Sequence, residues 1–154
     1  MDIAIVGATG NVGRKTLEVL QQKNLNIDNL YLVASPNSAG KQLEFNGKKY
    51  SIENLENYDF SKAKITFFAA GGKISEQYAE KAAKHTTVID NSSYFRMDPD
   101  VPLIVPQVNA KDIQNMKKNI IANPNCSTAQ LVLVLKPLHD LSLIPISEPT
   151  RSRG

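Results

Sequence analysis

Apolar residues fall along this chain in short continuous runs separated by amphipathic stretches. Ile3-Ala4-Ile5-Val6 is wholly apolar and partly β-branched, the pattern of a strand covered on both faces, which points to a parallel sheet. An amphipathic stretch over residues 14–22 predicts the first helix. Residues 30–34, 65–69, 87–90 and 119–122 read as further core strands, with helices over 74–84 and 110–116. Residues 42–45 and 48–52 flank Asn46-Gly47, both tolerant of positive φ, and predict a small exposed hairpin. Pro99, Pro102 and Pro106 hold the next stretch extended, with Leu103-Ile104-Val105 as a strand between them. An apolar helix closes the pattern, with Leu131, Leu135 and Leu138 near one face. Alternating strands and helices predict an α/β protein with a doubly wound parallel sheet.

Two glycine turns stand at the carboxyl ends of predicted strands, where ligands of open α/β sheets bind. The first, Gly7-Ala8-Thr9-Gly10-Asn11-Val12-Gly13, joins a strand to a helix. Gly7 and Gly10 remove side chains where the backbone turns and a ligand approaches, and Gly13 lets the helix pack close to the strand. The free N–H groups of the helix then face whatever sits on the turn, and a pyrophosphate fits there. The spacing is one residue longer than the common dinucleotide fingerprint, so a plain βα turn stays open as the alternative. Ala70-Gly71-Gly72 forms the second turn, with the same two readings. The loop after the second strand carries Ser35, Ser38 and Lys41 and no acid, which suits the 2′-phosphate of NADP better than the bare ribose of NAD.

Composition narrows the class. With 154 residues, 42% hydrophobic and 21% charged, the chain supports one globular domain with its own core. A formal charge of +3 is dispersed among acids, which reads as a solvated surface and argues against nucleic acid as a partner. The apolar run over residues 131–135 is far short of the roughly 20 residues that cross a bilayer, and Met1-Asp2 leads straight into a strand without a secretory signal. A cytoplasmic protein without a membrane partner is expected. The single cysteine, Cys126, excludes an internal disulfide, and no residue cluster is assigned to a metal.

Cys126 lies in Asn123-Pro124-Asn125-Cys126-Ser127-Thr128, between the last core strand and the apolar helix. A helix N-terminus favours negative charge on a thiol placed there, and its free N–H groups could receive an oxyanion on a carbonyl under attack. Polar neighbours favour a nucleophile over the other reading of a lone cysteine, a small buried hydrophobe.

From residue 1 to about residue 144 the sequence resembles the aspartate-semialdehyde dehydrogenases. The resemblance rests on the 7–13 glycine turn, Ser38-Ala39-Gly40, Ala70-Gly71-Gly72, Asp90-Asn91-Ser92-Ser93-Tyr94-Phe95-Arg96, Asp100-Val101-Pro102-Leu103-Ile104-Val105-Pro106 and the 123–128 segment. It implies a Rossmann-type domain over residues 1–125, the nucleophile and the start of a catalytic-domain helix over 126–144, and an unrelated, disordered tail over 145–154. The second, catalytic and dimerisation domain would be largely missing and the chain inactive alone. The implied reaction reduces L-aspartyl 4-phosphate with NADPH to L-aspartate 4-semialdehyde and phosphate, on the route to lysine, threonine and methionine. By the same resemblance Cys126 is the nucleophile and forms a thioester, and Arg96 and Asn125 hold the phosphate. Gly7, Thr9, Gly10, Asn11, Val12, Ser35, Ser38, Ala70 and Gly71 hold NADP. Asn37 stands where some relatives have an arginine, which leaves room for NAD. Neither His85 nor His139 matches the family's catalytic histidine; His85 reads as a cation at a helix C-terminus and His139 as a surface residue. The full-length form would be a homodimer or homotetramer. Two alternatives remain: a non-catalytic nucleotide-binding module, and an enzyme like the N-acetyl-γ-glutamyl-phosphate reductases, against which Asn-Cys-Ser-Thr argues.

Overall fold

The computed structural model of the chain describes residues 1–141. The tail expected over residues 145–154 and the end of the 126–144 segment lie outside the described residues. In chain order the elements are β1 (Asp2–Val6), α1 (Asn11–Gln22), β2 (Asn29–Ala34), β3 (Gln42–Phe45), β4 (Lys48–Asn54), β5 (Ile65–Phe68), α2 (Gly72–Ala83), β6 (Thr87–Asp90), α3 (Pro106–Asn109), β7 (Ile120–Ala122) and α4 (Cys126–Asp140). The strands form one sheet in the order β3-β4-β2-β1-β5-β6-β7. Every pairing is parallel except that of β3 with β4.

Period-two alternation explains why this sheet needs cover on both sides. In β1, Ile3 and Ile5 join one core with Leu30, Leu32 and the α1 residues Leu17 and Leu20. Ala4 and Val6 point into the other, with Val33, Phe68, Val88, Ile120 and the α2 residues Ala79 and Ala82. Burying a leucine such as Leu17 or Leu20 stabilises by about 1.5–3 kcal/mol, so α1 is fixed to the sheet mainly by its apolar stripe. β1 pairs with β2 on one side and β5 on the other, so the chain reverses its direction of travel across the sheet beside β1. A crevice opens at such a switch point.

Three expectations need correction. The hairpin is no separate exposed unit: β4 pairs in parallel with β2, and Phe45 and Ile52 are buried, so β3 and β4 extend the main sheet. Its turn is as expected, with Asn46 at φ 50° and Gly47 at φ 73°. Leu103-Ile104-Val105 makes only a single parallel bridge, Leu103 to Ala122, because the flanking prolines remove the N–H groups that would extend it. The helix expected over 110–116 is replaced by α3, started by Pro106, and a 3₁₀ turn over Ala110–Asn115. Asn109 breaks the run at φ −143°; its side chain accepts from the Val105 N–H and donates to the Leu103 carbonyl instead. Leu131, Leu135 and Leu138 share one face of α4, as their spacing predicts, and no α4 residue is buried among the described residues; Leu131 is 57% exposed.

Candidate active site at the carboxyl edge of the sheet

Because the strands other than β3 run parallel, their exits open on one edge. That edge collects the β1 exit at Gly7, the β2 exit at Ser35, the β5 exit at Ala69, the β6 exit at Asn91 and the β7 exit at Asn123. Between the first three lies a cleft of about 430 Å³. Gly7, Thr9, Gly10, Ser35 and Ala70, all singled out from the sequence, line it together with Pro36, Leu55, Glu56, Gln77 and Tyr78. Asn11, Val12, Ser38 and Gly71 stand outside this lining.

The glycines of the turn have different reasons to be glycine. Gly7 sits at φ +85°, and a Cβ there would lie 2.8 Å from the Ala69 carbonyl, so the β1 and β5 exits touch backbone to backbone. A Cβ on Gly13 would run into the Gly7 carbonyl and lie 2.8 Å from Ala8 Cα, which is the close helix approach expected of it. Gly10 is conformationally ordinary, at φ −74°, and a side chain there would meet nothing nearer than 3.4 Å. It therefore leaves open space in the cleft rather than relieving strain. No side chain caps α1, so its first-turn N–H groups remain available at the Gly7-to-Gly10 turn. Gly71 at φ +88° starts α2 in the same way, again without a side-chain cap. Two uncapped helix N-termini at one edge form a cradle suited to a pyrophosphate.

The β2 exit is only partly as expected. Ser35 opens a 3₁₀ turn over Pro36–Ser38, and the Ser35 carbonyl accepts from Ser38 N–H at 2.9 Å. Residues 35–41 include no acid, yet the cleft contains one: Glu56, delivered by the turn that follows β4. The Asn54 side chain accepts from the Glu56 N–H at 3.1 Å and fixes that turn. Nothing in the sequence pairs residue 56 with residue 35; only the β2–β4 pairing brings them to one wall.

Cys126 is the first residue of α4 and is exposed. Asn125 is the N-cap: its Oδ1 accepts from Ser127 N–H at 2.9 Å and from the Cys126 thiol at 3.7 Å. Among the described residues its Nδ2 makes no hydrogen bond and is open to a ligand oxygen. Arg96, half-buried, reaches from the β6 exit to the cysteine loop, where Nε donates to the Asn123 carbonyl at 3.0 Å and Nη2 to the Asn91 carbonyl at 3.2 Å. The three residues expected to handle substrate are thus tied to one pair of loops. His85, an exposed residue just beyond the α2 C-terminus, precedes β6 and so lies toward the opposite edge of the sheet. His139, exposed as expected, is 13 positions along α4 from Cys126, about 20 Å at helical rise. Neither imidazole serves the thiol. No group of metal-ligating side chains occurs among the described residues, and no described helix is long and apolar enough to cross a membrane.

Comparison with known proteins agrees with this geometry. Over 142 residues the chain is 54% identical to the aspartate-semialdehyde dehydrogenase of Aquifex aeolicus, a match that covers 90% of this chain and 42% of that one. It superposes on aspartate semialdehyde dehydrogenase II of Vibrio cholerae, solved with ASA, at a TM-score of 0.88 and 49% identity, over 90% of this chain and 46% of the other. The enzyme of Candida albicans solved with NADP matches at a TM-score of 0.71 and 26% identity, over 91% of this chain and 47% of that one. The chain therefore spans less than half the length of these relatives, and the two alternative readings of the sequence are not favoured by them. Residues 2–116, well over half of the 154, match the family described as semialdehyde dehydrogenase, NAD binding domain. An uncapped glycine turn at the switch point of a doubly wound sheet, with that family match laid over it, means that this chain belongs to the semialdehyde dehydrogenases and carries their NAD-binding domain.

Proposed function

We propose that the chain is the cofactor- and nucleophile-bearing part of an NADP-dependent aspartate-semialdehyde dehydrogenase, which converts L-aspartyl 4-phosphate to L-aspartate 4-semialdehyde and phosphate. The observation that carries this reading is the shared edge: the dinucleotide cleft and the cysteine at the start of α4 open on the same side of one sheet. The whole protein is read as a cytoplasmic biosynthetic enzyme, a homodimer or homotetramer.

In this reading Gly7, Gly10 and the first-turn amides of α1 take the pyrophosphate. Thr9 and Ala70 flank it and Ser35 takes the adenosine end, while Asn11, Val12, Ser38 and Gly71, outside the cleft lining, would meet the cofactor at its rim. The nicotinamide, when bound, supplies hydride to an acyl carbon. Cys126 Sγ attacks the acyl carbon of the substrate, the new C–S bond forms, and the bond to the phosphate oxygen breaks with its electron pair leaving on phosphate. Arg96 offers planar N–H donors to that departing charge, and Asn125 Nδ2 offers one more. The N–H groups at the start of α4 left over by the Asn125 cap face the developing oxyanion. Reduction of the thioester carbon then releases the aldehyde and returns the thiolate.

The test is NADPH formation from aspartate semialdehyde and inorganic phosphate by the full-length protein, by the full-length protein carrying Cys126→Ala, and by these 154 residues alone. The alanine variant should lose activity by a factor of at least about 10³, since alanine leaves no sulfur at the start of α4 to attack the acyl carbon. The 154 residues should bind cofactor without appreciable turnover, because neither histidine reaches the thiol and general acid–base help is worth about 10²–10⁴-fold. Normal turnover by Cys126→Ala would overturn the mechanism.

A further inference from the structure

The β6 and β7 exits are joined through one residue. Asn123 donates its backbone N–H to the Asp90 carbonyl at 2.8 Å and its side-chain Nδ2 to Asn91 Oδ1 at 2.8 Å, while its own carbonyl accepts Arg96 Nε at 3.0 Å. Arg96 Nη2 completes the loop on the Asn91 carbonyl at 3.2 Å. The guanidinium therefore bridges two carbonyls whose separation is set by the Asn91–Asn123 side-chain bond. A guanidinium has five N–H donors, and two are spent on these carbonyls. Three remain, in a plane already fixed beside the segment that ends in Cys126. Below the clamp, buried Asp90 accepts from Ser75 Oγ at 2.7 Å, from Ser92 Oγ at 2.6 Å and from Ser92 N–H at 3.0 Å, which anchors the β6 exit to α2.

We propose that Asn123 is a positioning residue: its bond to Asn91 fixes the Arg96 fork relative to Cys126 before substrate arrives, so that the two loops form a preorganised phosphate site. The inference rests on the roles given above to Arg96 and Cys126. An arginine held by two anchors loses little further side-chain freedom on binding an anion, whereas a loosened one must be ordered each time. Asn123 leaves the glycine cleft untouched, because its partners all lie on the β6 and β7 exits.

The experiment uses the single thiol as its reporter in the 154-residue chain. Alkylation of Cys126 by iodoacetamide is followed by intact mass over a titration of inorganic phosphate, and NADP(H) binding is titrated in parallel. Phosphate should slow alkylation of the unmodified chain, and Arg96→Ala should abolish that protection. Asn123→Ala and Asn91→Ala should each raise the half-protecting phosphate concentration by at least about fivefold, as expected for one lost hydrogen bond. The double variant should be no worse than either single one, since both remove the same bond. Alkylation without phosphate and NADP(H) affinity should stay unchanged, a split that general loosening of the fold would not produce. Unaltered protection in Asn123→Ala, with protection lost in Arg96→Ala, would overturn the positioning role and leave the proposed function standing. Loss of NADP(H) binding in both asparagine variants would also overturn it, by making the bond part of the scaffold. Absence of phosphate protection in the unmodified chain, or full protection in Arg96→Ala, would overturn the anion site itself and the proposed function's use of it.

Discussion

Ser75, on α2, donates its hydroxyl to the Asp90 carboxylate at the end of β6 across 2.7 Å, and both residues are fully buried. This bond links helix to strand inside the core. Ser75→Ala leaves the carboxylate with its two bonds from Ser92 and should cost about 1–3 kcal/mol. Asp90→Ala strands every one of these donors and should cost more, about 3–5 kcal/mol. Urea denaturation of the two variants checks this; equal costs, or a neutral Asp90→Ala, would contradict it.

Glycine-to-alanine changes at two helix positions should have opposite signs. Alanine is favoured over glycine inside a helix by about 1 kcal/mol, so Gly13→Ala would stabilise α1 if only propensity counted. The close approach of Gly13 to the Gly7 carbonyl and Ala8 Cα reverses that, and the variant should lose stability and weaken cofactor binding together. At Gly72, the first residue of α2, an added Cβ meets nothing within 4 Å, and alanine should gain about 0.4–1 kcal/mol. Thermal melts of the two variants distinguish the cases.

Glu56 shares its wall of the cleft with Ser35 and Pro36, so a cofactor phosphate near the serine meets a carboxylate. Removing that charge by Glu56→Gln should raise affinity for NADP(H) about two- to fivefold, the scale of an exposed charge pair, and leave NAD(H) affinity unchanged or lower. The gain should shrink in high salt. Fluorescence titration with both cofactors is the measurement, and an unchanged preference would remove Glu56 from cofactor selection.

Asp98 lies against Lys118, which donates to it at 2.9 Å and also to Glu80 at 3.1 Å. The Lys118 hydrogen bond, followed by the Asp100 N–H, holds the Asp98 carboxyl below its ordinary 3.8. A carboxyl depressed in the folded state contributes stability that is present above its ordinary value and is lost as pH falls through the folded one. Lys118→Met should therefore flatten the acid limb of a stability profile below about pH 4 while changing little between pH 6 and 8 relative to its own plateau. A profile parallel to that of the unmodified protein down to acid unfolding would show the ion pair to be fully screened.

Legibility followed sequence distance. Gly7 and Gly13 are readable because a strand, a turn and a helix are consecutive, and Cys126 is readable because an apolar helix begins at it. Glu56 is not, since it reaches Ser35 only through strand order, and no local pattern reports that β4 rather than another strand lies beside β2. The Asn123 clamp spans 27 to 33 positions to its partners and uses backbone carbonyls, which leave no mark in residue type. Leu103-Ile104-Val105 misleads for the opposite reason: its side chains suit a strand, but the prolines on either side deny it the N–H groups of one.

The start of α4 is the part of the site least supported by its surroundings. Helices of about 12–15 residues are marginal in water unless an apolar face is packed, and α4 has 15 residues and none buried. Its helix–coil equilibrium is thus coupled to the placement of the thiol at its first position, because a frayed first turn gives up the Asn125–Ser127 cap beside that sulfur. Any surface that covers Leu131, Val134 and Leu138 would shift this equilibrium and steady the position of Cys126 from several turns away, without touching the sulfur.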